Sequence, residues 1–466
     1  MTTAERGSAE TMSATGTVTG ADAWTGARVK AADKEYVIHS WSVQGALDPV
    51  PVAGGSGSWF WDYEGRRYLD FQSQLVNLNL GHQHPKLVEA IRRQAEELCY
   101  IGPGFAERSR AELAEMLAGL TPGDLKMTFF TTGGAAANEN AIRLARHVTG
   151  RQKIVARYRS YHGATAGAIS LTGDPRRWAA EPGMTGVVRM LDPYTYRCPA
   201  GHPDPCPVCT GGPHLEEILQ YENPSTVAAV IVETVTGTNG LLYPPDGYLR
   251  SLREVCDKYG ILLIFDEVMA GFGRTGEWFA CDHWDVAPDI LTTAKGLNSG
   301  YVPLGAMTVS ERISDWLRDN MFWGGLTYAG HPLACASGVA SLRIMQEERV
   351  VDNARLMGDR LGAGLAALAE RHPSIGDIRG RGLFYGVELV TDRTTREPLV
   401  PFNGKGQAAL PVTRLLKAAM ERGLYLTANF NVLRLTPPLV VREQEIDLAL
   451  DVLDDVLTLA DEHYTG

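Results

Sequence analysis

The stretch that decides the fold is "ILLIFDEV", Ile261 to Val268, read together with "LTTAKGLNSG", Leu291 to Gly300, downstream. The first is an apolar run that ends in two carboxylates. Such a run, bounded by polar residues, is consistent with a strand buried on both faces. Asp266 then falls at the carboxyl end of a central strand, where burying a charge is costly without a partner. A protonated heterocyclic nitrogen would be such a partner. The second stretch places Lys295 among threonine, alanine and glycine on the turn after "DILTTA". A lysine held among small, weakly polar groups has a depressed pKa and becomes a nucleophile and base, able to condense with an aldehyde. For these two residues taken alone, a plain salt bridge is the alternative.

Working outward, short apolar runs alternate with helical periodicity from about Leu75 to Ile344. The strand candidates are "MTFFTT", "KIVARY", "VAAVIVE", "ILLIFDE", "DILTTA" and "LGAMTVS", with helices such as "NENAIRLARHV" and "DGYLRSLREVCDKYG" between several of them. That alternation predicts a mostly parallel sheet covered by helices, an α/β fold. Four zones follow: a mobile tail over residues 1–30, an N-terminal segment over 31–74 that joins a small domain, a large domain over 75–344, and a small α+β domain over 345–466. The N-terminal segment contains "GSGSWFWDYEGRRYLDF", whose Glu64-Gly65 predicts the turn of a short hairpin. In the last zone, two long amphipathic helices flank the strand-like segments "LFYGVELV" and "NVLRLTPPLV".

The bulk composition fits a soluble globular enzyme: 466 residues, 44% hydrophobic and 21% charged. A net charge of −11 argues against nucleic acid, which calls for clustered Lys and Arg. No apolar stretch approaches the roughly 18 residues of a membrane span. The first 25 or so residues have neither a basic start nor an apolar core, unlike a signal peptide. Seven cysteines, an odd number in a long chain, point to a reducing, cytoplasmic setting.

In parallel sheets, ligands collect where strands end and helices begin. The junction "FFTTGGAAANENAIRLARH" (Phe129 to His147) runs from strand through a Gly-Gly turn into a helix. Gly133, Gly134 and Ala135 there offer free N–H groups and a helix dipole to an anion such as phosphate. A tight strand-to-helix turn is the alternative. A second junction, "RYRSYHGATAG", presents Tyr161 and His162, and Tyr161 could stack on a flat ring. A phosphate-binding turn, a stacking tyrosine, a buried aspartate and an isolated lysine together describe a pyridoxal phosphate site.

At these residues the chain resembles the class III aminotransferases, which are fold-type I pyridoxal phosphate enzymes, from about Ala31 onward. The most specific segment is "LLIFDEVMAGFGRTGEWFACDHWDVAPDILTTAKGLNSGYVPLGA". The resemblance implies that Lys295 carries the cofactor and shuttles the proton, and that Asp266 pairs with the pyridinium nitrogen. It implies that Val268 and Tyr161 flank the ring, with His162 beside it, that backbone N–H groups at Gly134 and Ala135 hold the phosphate, and that Glu233 supports the cofactor-side hydrogen-bond network. Thr327 in "GGLTYAGHP" would contribute its hydroxyl to a neighbouring subunit, which implies a homodimer and leaves a tetramer open. Arg434 in "NVLRLTPPL" matches the family's carboxylate-binding arginine.

Departures from the family pattern bear on the substrate. Many members read Ser-Gly-Ser where this chain has Gly133-Gly134-Ala135, so backbone donors must suffice. Members acting on γ-aminobutyrate or ornithine carry a glutamate where "VETVTGTNG" offers Thr238, which leaves Arg434 ungated. Some ω-transaminases have a pocket tryptophan where "SQLVN" gives Val76. The chain is most similar to taurine–pyruvate and related ω-amino acid or amine transaminases. The expected function is amino transfer from an ω-amino acid or primary amine to pyruvate, in a ping-pong cycle through pyridoxamine phosphate. The alternatives are an aminomutase or decarboxylating enzyme of the same fold, and a non-catalytic α/β scaffold. One cluster stays outside this scheme: "YRCPAGHPDPCPVCTGGPH", with Cys198, His202, Cys206, Cys209 and His214. Cys206-x-x-Cys209 has zinc-ligand spacing, but a single such pair in a proline-rich loop is weak evidence, a solvent-facing insertion near the active site is the favoured reading, and no metal is placed in the expected site.

Overall fold

The computed structural model describes residues 24–201 and 205–466. The chain divides into two compact units, one comprising Gly55–Phe60 with Tyr68–Gly466, the other Trp61–Arg67 with the described part of Met1–Gly54. In the latter, helix α1 spans Gly26–Tyr36, and Thr25 caps it by accepting the Arg28 N–H at 3.2 Å. Residues 26–30, expected in the tail, are therefore helical, because a hydroxyl cap satisfies one of the first free amides. The expected tail up to residue 23 lies outside the described residues. The turn at Glu64-Gly65 forms as its residues require. Asp62 Oδ1 accepts the N–H groups of Glu64 and Arg66 at 3.1 and 2.8 Å, and Gly65 takes φ +80°.

The larger unit is built on seven strands: β1 (Leu125–Thr131), β2 (Lys153–Arg157), β3 (Val187–Met190), β4 (Val227–Glu233), β5 (Leu262–Asp266), β6 (Ile290–Thr293) and β7 (Gly305–Ser310). Their spatial order is β1-β7-β6-β5-β4-β2-β3. β7 runs antiparallel to both its neighbours, and the remaining pairs are parallel. Six of the seven correspond to the runs picked from the sequence. The seventh, β3, is a four-residue edge strand with alternate positions only half-buried, so its pattern is too short to stand out.

β4 and β5 are buried along their whole length, which is why their sequences show no alternation. The two faces still divide the side chains. Leu263 and Phe265 pack in one core cluster with Leu249 and Leu252 of helix Tyr248–Tyr259. Leu262 and Ile264 pack in another with Ile142 and Leu144 of helix α2 (Gly134–Thr149). Each such fully buried side chain contributes roughly 1.5–3 kcal/mol, so the sheet is held rigid between two helical layers.

Four further strands, β8 (Ile375–Arg381), β9 (Phe384–Asp392), β10 (Thr427–Asn429) and β11 (Val432–Leu435), pair antiparallel in the order β8-β9-β11-β10. The amphipathic helices Val350–Arg371 and Glu443–Asp461 join the same core as Leu389 and Leu433 of these strands. Leu69 and Asp70 pair in parallel with Leu424 and Tyr425. No helix among the described residues is long and apolar enough to cross a membrane.

Candidate active site

A cavity of about 360 Å³ opens beyond the carboxyl ends of the parallel strands, where such sheets collect ligands. It is lined by Lys295, Asp266, Gly133, Gly134, Ala135 and Tyr161, and further by His162, Glu233, Val268 and Thr238. Lys295 follows β6 and opens a short 3₁₀ turn with φ +45°. A non-glycine residue in that region costs of order 1–3 kcal/mol, which the rigid sheet edge must hold. Burial lowers the Lys295 ammonium from the ordinary 10.5 to about 8, opposed by Asp266 and Glu233 and reinforced by Arg434 and Arg176. At pH 7 about a tenth of the side chain is then a free amine, against roughly one part in 3,000 for an ordinary lysine. The small residues around it do what their polarity predicts.

Asp266 is 3% exposed and held from three sides. Its Oδ1 accepts the Val268 N–H at 3.0 Å, and its Oδ2 accepts Asn138 Nδ2 at 2.7 Å and meets His162 Nδ1 at 2.8 Å. Thr292 Oγ1 donates to Asn138 Oδ1 at 2.6 Å, which turns the amide nitrogen toward Asp266. These donors satisfy the buried carboxyl oxygens and leave the group facing the cavity. The adjoining Glu267 behaves differently. It accepts the Ala280 and Cys281 N–H groups and the Thr234 hydroxyl, away from the cavity, and burial pushes it up to about 7. Of the two carboxylates that end the decisive run, one serves the cavity and one caps a neighbouring turn.

Glu233 ends β4, and burial pushes its carboxyl above the usual range. Its oxygens accept the Tyr161 N–H at 2.9 Å and the Gly237 N–H at 2.8 Å. It therefore fixes the backbone that carries Tyr161. Helix α2 starts at Gly134, and no side chain caps its N-terminus, so its first amides are turned to the cavity. A Cβ on Gly134 would come within 2.7 Å of Val268 Cγ1, so only glycine lets the two walls approach. The anion-binding turn, the buried carboxylate and the lysine of lowered pKa fit pyridoxal phosphate.

Two residues expected to face the substrate, Val76 and Arg434, lie off the cavity lining. Val76 is not a pocket residue: it is 1% exposed in the main core, and Leu75 and Asn77 line the cavity instead. Ser73, Gln74 and Val76 all take positive φ, a kink pinned by Asp70, which accepts the Gln72 and Gln74 N–H groups. That kink reverses which side chain faces inward, and nothing in a five-residue string announces it. Thr327 is exposed and outside the cavity lining. Arg434 is off the lining too, but near enough to Lys295 to lower its pKa. Its Nη2 donates to Thr427 Oγ1 at 2.7 Å, and its buried Nε has no hydrogen-bond partner among the described residues. Burial lowers the guanidinium to about 10. Sequence reading also missed Asn138 and Met269. Asn138 sits one helical turn after Gly134, a position a helical wheel would have directed at the sheet.

Fold and cavity define a fold-type I pyridoxal phosphate enzyme. The chain belongs to the class-III aminotransferases, whose family model matches residues 42–457. It is similar to the solved taurine:2-oxoglutarate aminotransferase of Bifidobacterium kashiwanohense, in complex with pyridoxal phosphate and glutamate: 41% identical, TM-score 0.90, covering 95% of this chain and 99% of that one. An (S)-enantioselective ω-transaminase from Thermomicrobium roseum is 38% identical with TM-score 0.88, covering 94% of this chain and 100% of that one. The taurine–pyruvate aminotransferase of Bilophila wadsworthia is 34% identical, covering 94% of this chain and 98% of the relative. The protein is thus a pyridoxal phosphate-dependent aminotransferase that moves an amino group between an amino donor and a keto acid, which sets aside the non-catalytic scaffold.

Proposed function

We propose that the enzyme transfers the amino group of an ω-amino acid or primary amine to pyruvate. The observation that carries this reading is Arg434: a buried guanidinium near Lys295 that, among the described residues, has no hydrogen-bond partner at Nε and no acidic partner in its hydrogen bonds. The alternative that it pairs with Glu388 fails, since that carboxylate is already bonded to Arg197, Arg379 and Tyr194. Thr238, which cannot neutralise a guanidinium, lines the cavity where related enzymes keep a glutamate. Arg434 is left to receive a substrate carboxylate as a two-pronged match.

Pyridoxal phosphate, when bound, supplies an aldehyde that holds the amino group and a ring nitrogen that accepts electron density. Lys295 takes and returns the proton at the substrate carbon through Nζ. Asp266, fixed by Asn138 and His162, would face the ring nitrogen and favour its protonated form. Tyr161 and Val268 would confine the ring, and the α2 amides with Gly133, Gly134 and Ala135 would bind the phosphate. Thr327 serves the active site of a partner subunit in a homodimer, and the exposed position of its side chain suits that role. The seven cysteines, an odd number in a long chain, suit a cytoplasmic setting.

The test is spectroscopic. Purified enzyme loses its near-visible band with an ω-amino acid or primary amine and regains it with pyruvate. Recovery with 2-oxoglutarate alone would overturn the acceptor, and net isomerisation without a keto acid would favour an aminomutase.

A further inference from the structure

Outside the cavity, three thiols meet. Cys198 ends the 3₁₀ turn Thr195–Arg197, while Cys206 caps the helical turn Pro207–Thr210 and Cys209 lies within it. The Cys198 sulfur lies 3.3 Å from that of Cys206 and 3.7 Å from that of Cys209, and all three fall within 4.8 Å of one another. Zinc–sulfur bonds of about 2.3 Å at tetrahedral angles place their sulfurs about 3.8 Å apart. The Cys198–Cys209 separation of 3.7 Å is close to that edge, and the Cys198–Cys206 separation of 3.3 Å would have to open slightly. The Cys209 N–H also donates to Cys206 Sγ at 3.2 Å, which fixes the orientation of that sulfur. None of the three lines the cavity of Lys295.

We propose that Cys198, Cys206 and Cys209 form a structural zinc site, their thiolates occupying three corners of a tetrahedron. Binding releases the three thiol protons to solvent, with no change of oxidation state. His214 is not a ligand: its Nε2 accepts the Leu191 N–H at 3.1 Å. His202 lies outside the described residues and has no part in the proposal. The ion would tie the segment that follows Arg197 to the turn that leads into helix Gly212–Glu222. Arg197 itself bonds Glu388 Oε1 on β9 and the Arg396 carbonyl. The site therefore fixes a strut between this loop and the strand beside Arg434.

The test uses the full chain, expressed untagged and purified without chelator. Elemental analysis should find about one zinc per chain. Cys198→Ser and Cys206→Ser should each lower that occupancy roughly tenfold or more while leaving pyridoxal phosphate content unchanged. Because a serine variant could misfold, the wild type is also probed directly. With zinc the three thiols should resist alkylation, and a chelator should expose them. Cobalt exchanged into the site should give tetrahedral thiolate bands in the red, clear of the cofactor. A protein that is metal-free as isolated and after dialysis against zinc overturns the proposal. So do equal alkylation rates with and without zinc, or a Cys198–Cys206 disulfide in freshly isolated enzyme.

Discussion

Replacing Arg434 by alanine separates the acceptor site from the scaffold. Among the described residues the guanidinium makes one side-chain hydrogen bond, to Thr427, and its buried Nε has no partner. Its removal costs about 1 kcal/mol for that bond and relieves a buried charge whose pKa is already lowered to about 10. The two effects oppose each other, so Tm should move by only a few degrees. The cost to pyruvate is larger. A charge-assisted hydrogen bond to a carboxylate contributes about 1.5–3 kcal/mol, which is roughly ten- to a hundred-fold in the half-reaction with pyruvate. A simple aryl-alkyl amine presents no carboxylate, so its half-reaction should change less than about threefold. Single-turnover spectra of each half-reaction, with thermal melts of the same samples, give the three readouts. Arg434→Gln, which keeps a donor for Thr427, should reproduce the pyruvate defect. Equal losses in both half-reactions, together with a large drop in Tm, would refute the role assigned to Arg434.

Lys295→Ala should retain the cofactor through its phosphate and ring contacts and lose turnover by roughly 10²–10⁴-fold or more, since the proton shuttle is gone. Near-normal rates in that variant would remove Lys295 from the chemistry. Asp266→Asn should fold normally yet slow the amine half-reaction, because an amide cannot keep the ring nitrogen protonated; unchanged rates would make Asp266 purely structural. Capture of the cofactor by the apoenzyme depends on the free amine of Lys295, so its rate should rise with pH and level off above about 8. A rise continuing toward 10.5 would show that burial does not shift this group. The same group makes the apoenzyme less stable as pH falls from 10.5 toward 8, where the unfolded chain is protonated and the folded one is not. Gly134→Ala should weaken cofactor retention, because its Cβ would meet Val268 at 2.7 Å; equal retention would mean the wall can yield.

Much of the chemistry was legible in local sequence. The run ending in Asp266, the isolated Lys295 and the Gly133-Gly134-Ala135 turn each sit at a strand end, and strand ends in a parallel sheet gather at one edge. Both the sheet and the place of its ligand follow from apolar runs, breakers and spacing, which are local properties of the chain. Other features depend on neighbours far away in sequence. Which of Leu75 and Val76 faces the cavity is decided by three positive-φ residues that Asp70 pins. The fixing of Asp266 by Asn138 needs α2 to cross the sheet at one particular angle, and Arg434 is free only because Glu388 is taken by Arg197 and Arg379. The three cysteines lie within a twelve-residue stretch of a proline-rich loop, where spacing alone favoured a plain insertion over zinc. Their sulfurs converge only when the loop closes on the Pro207–Thr210 turn. Local sequence sets backbone preferences and burial; side-chain partners across the fold are set by packing, which short-range pattern does not encode.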